Sequence, residues 1–112
     1  MNKILQFPTP PKVTLDSQIR SAIANKRLLR FTYGGAERIL EPHDYGVHKG
    51  EDKLLAYQRE KAGRKSDDVR GWRMFETSKI QDCSVLEETF EGSRQAADQR
   101  HHDWDVLYAR VE

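Results

Sequence analysis

Two short stretches of this chain carry side chains that acid–base or metal chemistry uses. Glu41-Pro42-His43-Asp44-Tyr45-Gly46, with His48 two residues further on, gathers carboxylates, an imidazole and a phenol. General acid–base catalysis needs a proton carrier tuned near neutrality and held against a reacting atom. No recognised nucleophile or oxyanion arrangement accompanies these residues. Asp44 and Tyr45 are also turn builders, and His43 can hydrogen-bond within such a turn. His101-His102-Asp103-Trp104-Asp105 holds metal-ligand types. Adjacent histidines point in different directions on a helix or a strand, which suits one shared metal poorly. Asp103 could instead cap a helix, with Trp104 docked on a core. The tract from Arg59 to Arg70 sets five basic residues against Glu60, Asp67 and Asp68, without interleaved aromatics. It reads as a solvated loop, with contact to a partner as the functional alternative. Glycine-rich phosphate loops, paired glycosidase-like carboxylates and zinc-type cysteine pairs are missing. The chain is therefore expected to bind rather than to catalyse, with no cofactor and no metal.

The totals bound the partner class. Nineteen basic and 18 acidic residues leave a net charge of +1, unlike a strongly basic nucleic-acid binder. The balance hides an asymmetry. Lys3, Lys12, Arg20, Lys26, Arg27 and Arg30 face only Asp16 early in the chain, whereas the last third is acidic. That polarity permits a local basic face without requiring one, and an ordinary solvated surface is the better account of it. A length of 112 residues allows one domain, 1–112, with one modest core. Cys83 is the only cysteine, so it reads as an apolar filler in a reducing compartment. No apolar stretch approaches a membrane span or a signal-peptide core, so the expected setting is cytoplasmic and away from membranes.

The elements that must position these residues follow from periodicity. Phe7-Pro8-Thr9-Pro10-Pro11 cannot be regular helix, so 1–13 reads as an extended arm with Ile4, Leu5 and Phe7 able to dock. Thr14 offers an N-cap, and Leu15, Ile19, Ala22 and Ile23 recur at helical spacing, which predicts a helix over 14–27. Leu29, Phe31 and Tyr33 then alternate with polar residues as a half-buried strand should, and Gly34-Gly35 supplies a tight hairpin. The return strand runs through Arg38-Ile39-Leu40 and is expected to stop at Pro42, leaving 43–52 as a loop. Further strands are predicted over about 53–59, from 71 to 75 and around 81–86, within a β core of 28–90. The extension 91–112 is expected to be irregular and then helical, because Trp104, Leu107, Tyr108 and Val111 fall at i, i+3, i+4 and i+7. Trp104, Val106 and Tyr108 fit a strand as well. One helix before about five short strands favours a mainly β fold, either a small five-stranded barrel or a strongly bent antiparallel sheet.

In these strands, Tyr33, a glycine turn and Arg38-Ile39-Leu40-Glu41-Pro42 resemble the start of a WYL domain. Leu54-Leu55-Ala56-Tyr57 is similar to that family's central strand, and Arg73 through Ile80 to its closing R-x-F-x-x-x-[RK]-I segment. The order and spacing agree from about Ser17 to Leu86. Asp52-Lys53 replaces the Trp-Tyr pair of the eponymous triplet, Glu76 stands where a basic residue is common, and Lys79 where arginine is common. The resemblance implies an Sm-like small β-barrel and a regulatory, ligand-sensing role, often tied to bacterial transcription, with nucleotides or nucleic acids as ligands.

With that resemblance, Arg38, Arg73 and Lys79 become the principal candidate site. Strands of a barrel would bring them onto one face, where guanidinium groups hold phosphate through paired, charge-assisted hydrogen bonds. Arg59 and Tyr57 would extend that face, with the aromatic ring available for base stacking. The structural alternative is a set of surface ion pairs with Glu37, Glu41 or Glu76. The chain is expected to be a stand-alone module for a nucleotide, a single-stranded nucleic acid or another anion, acting through a protein partner or a homo-oligomer. A protein–protein adaptor that has lost its ligand is the alternative.

Overall fold

The computed structural model describes residues 13–96 and 103–112. The expected docking arm with Ile4, Leu5 and Phe7 lies outside the described residues, as does the His101-His102 pair.

Helix α1 (Leu15–Asn25) starts where the sequence offers a cap. The Thr14 hydroxyl accepts the Ser17 N–H at 3.0 Å, and the Ser17 hydroxyl accepts the Thr14 N–H at 3.2 Å. Two otherwise unpaired donors are thereby satisfied reciprocally. The helix stops at Lys26, which takes a left-handed φ of 52° so that its N–H reaches the carbonyls of Ala22 and Ile23.

Strand β1 (Arg27–Tyr33) follows directly. Gly34 and Gly35 both have positive φ, 58° and 75°, which a two-residue hairpin turn requires and most side chains resist. The return strand β2 (Ala36–His48) is much longer than predicted. It does not stop at Pro42, and 43–48 is strand rather than loop. Proline is tolerated because of what flanks it. The ladder to β1 ends at Leu40, and Pro42 sits at a register shift against strand β3 (Glu51–Lys61). Its missing donor therefore falls where no neighbour needs one. Lys49 and Gly50, with φ of 53° and 79°, close the β2–β3 hairpin.

Strand β4 (Gly71–Glu76) pairs with β3, a 3₁₀ turn covers Thr77–Lys79, and strand β5 (Gln81–Thr89) returns to β1. All pairings are antiparallel, in the order β4-β3-β2-β1-β5. The chain ends in a sixth strand, β6 (Val106–Arg110), where a short helix is expected. Beyond Leu40, β2 has lost β1 as a neighbour and would leave Asp44 to Val47 unpaired along that edge. β6 fills this gap, with Asp44 opposite Arg110 and Val47 opposite Val106. Satisfying that row of backbone groups outweighs a helical spacing only four residues strong.

The sheet is strongly curled. In a flat sheet β1 and β4, three steps apart, would lie ~14 Å from each other. Instead the rings of Phe31 and Phe75 meet edge-to-face with centroids 5.1 Å apart, and Tyr33 and Phe75 at 4.9 Å. No ladder joins β4 to β5 among the described residues, so the sheet is bent but not closed into a barrel. Its concave face buries Leu29, Phe31, Leu40, Leu54 and Phe75, and α1 adds Ile19, Ala22 and Ile23. Cys83 is half-buried, and burial pushes its thiol up to about 11, in keeping with a filler role. No helix among the described residues is long and apolar enough to cross a membrane.

Candidate functional site

Strand alternation divides the candidate residues between two faces. On β3, Leu54, Ala56 and Gln58 point into the concave face and are fully buried. Leu55, Tyr57 and Arg59 take the opposite one. Gln58 thus carries an amide into the end of an apolar core, where both of its polar atoms need partners. Its Oε1 accepts from Arg38 Nη1 at 3.0 Å, and its Nε2 donates to the Val69 carbonyl at 2.6 Å. Arg38 also donates through Nε and Nη2 to the Tyr33 carbonyl, and its guanidinium lies over the rings of Tyr33 and Phe75.

Arg73 stands opposite Ala56 and so shares the concave face. It donates from Nη1 to the Trp72 carbonyl at 2.8 Å, and Nη2 reaches towards Val69 at 3.5 Å. Among the described residues, no carboxylate forms an ion pair with Arg38 or Arg73. All their donors in hand go to neutral acceptors. Burial, and after it the positive charge of Arg73, lowers the pKa of Arg38 from the ordinary arginine value. Beside this pair opens a cavity of about 240 Å³ lined by Gln58, Lys61, Arg64, Asp68, Val69 and Arg73. Its outer wall is the turn at Ala62-Gly63 and the segment 64–70, where Arg64 Nη2 meets Asp68 at 2.9 Å.

The remaining predicted residues lie elsewhere. Arg59 is on the outer face, bound to Glu41 at 2.7 Å and to Glu88 at 2.7 Å. Tyr57 packs edge-to-face on Trp72 and carries the guanidinium of Arg94 at 3.8 Å from its ring centroid. Lys79 follows the far end of β4 and is paired with Glu76 at 2.6 Å. Arg38 and Arg73 are therefore brought together, but Arg59 and Tyr57 do not share their face, and Lys79 is held by a carboxylate.

The outer face has its own polar centre, at Glu41. This carboxylate is 1% exposed and accepts from Arg59 Nε, Arg94 Nε and Arg94 Nη2 at 2.7, 2.7 and 2.9 Å. Burial alone would raise its pKa, but Arg94 and Arg59 outweigh burial and hold it below the usual glutamate value. The buried His43 ring lies between Trp72 and Phe90. Its Nε2 accepts the Arg94 backbone N–H at 3.1 Å, so the proton belongs on Nδ1, which faces the Glu41 carbonyl at 2.9 Å. Burial lowers the pKa of this imidazole.

The remaining polar groups of the 41–48 stretch have separate partners. Asp44 accepts two hydrogen bonds from Arg110 and one from the Trp104 indole, whereas the Tyr45 hydroxyl donates to Asp16 at 2.8 Å. The acid–base stretch is thus spent on tying β2 to β6, α1 and the 90–95 segment. Trp104, expected on a helix, is instead anchored ahead of β6. No three His, Cys, Asp or Glu side chains gather as metal ligands among the described residues.

Gln58 and Arg94 are members of these clusters that sequence reasoning missed. A signal for Gln58 existed, since an amide in phase with Leu54 and Ala56 marks a polar group turned inward. Arg94 had none, because its partners Glu41, His43 and Tyr57 are remote in sequence. No protein-family model, no curated protein and no solved structure matches this chain.

Proposed function

We propose that this chain is a non-catalytic, ligand-sensing or regulatory binding module of WYL-like type, which takes a nucleotide-containing or other anionic ligand at Arg38 and Arg73. The observation that carries this reading is the pair of neighbouring guanidinium groups without a carboxylate partner among the described residues. Their charge is uncompensated in a partly desolvated setting, where an arriving anion gains most from charge-assisted hydrogen bonds. Lys61 and Arg64 on the cavity rim add to the same field. An Sm-like architecture is supported by the leading helix, the five-strand order and the curl of the sheet. A reducing, cytoplasmic setting fits the lone thiol.

Fluorescence anisotropy with labelled single-stranded DNA and RNA at two salt concentrations tests the proposal. Binding should weaken steeply with salt and be lost in Arg38→Ala/Arg73→Ala, with circular dichroism unchanged. Arg73→Ala alone is the safer variant, because it leaves Gln58 with its Arg38 partner. Absence of binding by the wild-type chain at low salt would remove the oligonucleotide form of the reading.

A protein–protein adaptor is the second reading. It is favoured by Val106 and Leu107 of β6, exposed at 50% and 40%. Consecutive strand residues point to opposite faces, so these two do not form one patch, and the reading ranks below the first.

A further inference from the structure

Arg64 and Asp68 lie on the wall of the Arg73 cavity, with both side chains open to solvent. Both side chains are nearly two-thirds exposed; Arg64 Nη2 donates to Asp68 Oδ2 at 2.9 Å and, more distantly, to the Ser66 hydroxyl at 3.4 Å. The Asp68 carboxylate also accepts from the Ser66 hydroxyl, and that bond and Arg64 together lower its pKa. The backbone around it is fixed from below. Val69 is buried and its carbonyl accepts from Gln58, while its N–H donates to the Ser66 carbonyl at 3.0 Å. Asp68 is thereby held at the cavity with its negative charge beside the cations that line it.

From this arrangement we infer that Asp68 is a built-in competitor for the anion site. It occupies Arg64 until a phosphate group enters and takes its place. This inference rests on the proposed anion-binding role of Arg38 and Arg73. Exposed, singly bonded ion pairs are weak and exchange readily. A phosphate offers several acceptor oxygens and can engage a guanidinium through two parallel bonds, so it outcompetes one carboxylate contact. The cavity, about 240 Å³, is smaller than the ~300–1,000 Å³ typical of whole small-molecule sites. It therefore suits the phosphate of a nucleotide, with sugar and base outside. Asp68 sets a threshold, so that weakly charged anions do not displace it.

The test is anisotropy of a 3′-fluorescein-labelled, 5′-phosphorylated octathymidylate at low salt against the wild type, Asp68→Asn, Asp67→Asn, Arg73→Ala and Asp68→Asn/Arg64→Gln. Asp68→Asn should bind about two- to fivefold tighter, the upper part of the range spanned by losing one exposed ionic competitor. Asp67→Asn makes the same change in net charge in the same exposed segment and should move affinity less than about twofold. The gain should vanish when Arg64 is also replaced. If Asp68→Asn binds no better than wild type, or Asp67→Asn improves binding equally, the competitor role is overturned. Binding that is lost in Arg73→Ala yet unchanged in Asp68→Asn sinks this inference alone. Absence of binding by the wild type and by every variant sinks the anion-site reading, and the competitor role with it.

Discussion

Replacing Glu41 by glutamine is the sharpest perturbation of the outer face. The substitution keeps shape and volume but removes a buried charge that takes three hydrogen bonds from two arginines. Breaking a fully buried ion pair costs about 3–5 kcal/mol, mostly because the abandoned charge stays buried. Here the abandoned charges can partly return to water, since the Arg59 and Arg94 side chains are 28% and 39% exposed. Glutamine also retains one acceptor. A loss of about 2–3 kcal/mol follows, which for a chain of this length lowers Tm by roughly 8–12 °C. Thermal melts followed by circular dichroism at pH 7 would measure it.

The sign of the pH dependence provides a second check. The folded-state pKa of Glu41 lies below its unfolded value, so its contribution is present above the unfolded pKa and is lost as pH falls through the folded one. The gap between wild type and Glu41→Gln should thus narrow in acid. A Tm change under about 3 °C at pH 7, or a gap that does not narrow below pH ~4, would refute the reasoning.

Two further predictions concern the edges of the fold. A Cβ on Gly46 would run into the Val106 carbonyl oxygen and crowd Leu107 and Trp104, so Gly46→Ala should cost at least about 2 kcal/mol. Hydrogen exchange should show β6 amides losing protection before those of β1 and β3. The lowered pKa of His43 means the unfolded chain binds a proton more readily than the folded one. Its stabilisation is complete above the unfolded value near ~6.5 and declines as pH falls through the window towards the folded value. Arg94, Glu41 and Asp44 are the charged groups that act on this ring. Denaturant titrations between pH ~7 and ~5 should show that decline in wild type and a flatter profile in His43→Gln; parallel profiles would remove His43 as the cause.

Much of the local structure was legible because its causes are local. Thr14 and Ser17 lie within one helical turn, and the alternation of Leu29, Phe31 and Tyr33 needs only a sheet on one side. Gly34-Gly35 reads as a hairpin because few other residues sit comfortably at that φ. Pro42 misled for the opposite reason. Its effect on β2 depends on whether a neighbouring strand needs its donor, and the ladder to that neighbour, β1, ends at the Leu29–Leu40 pair. The terminal segment failed likewise, since Trp104, Leu107, Tyr108 and Val111 satisfy a helical period while the vacant edge of β2 offers their backbone a ladder.

Of the predicted basic face, the composition and order of the chain indicated which cations were candidates but not which carried an unopposed charge. Arg38, Arg59, Arg73 and Lys79 look alike in sequence. Strand parity and the curl put Arg38 and Arg73 on the concave side beside Gln58, and turned Arg59 outward to Glu41. The 3₁₀ turn brought Lys79 to Glu76. By itself the sequence determined the helix, the first hairpin and the mainly β character, since caps, turns and periodicity act over a few residues. The length of β2, the sixth strand and the carboxylate partners of Arg59, Arg94 and Arg110 were decided only in the tertiary structure, because each depends on backbone groups and carboxylates that folding brings in from far along the chain.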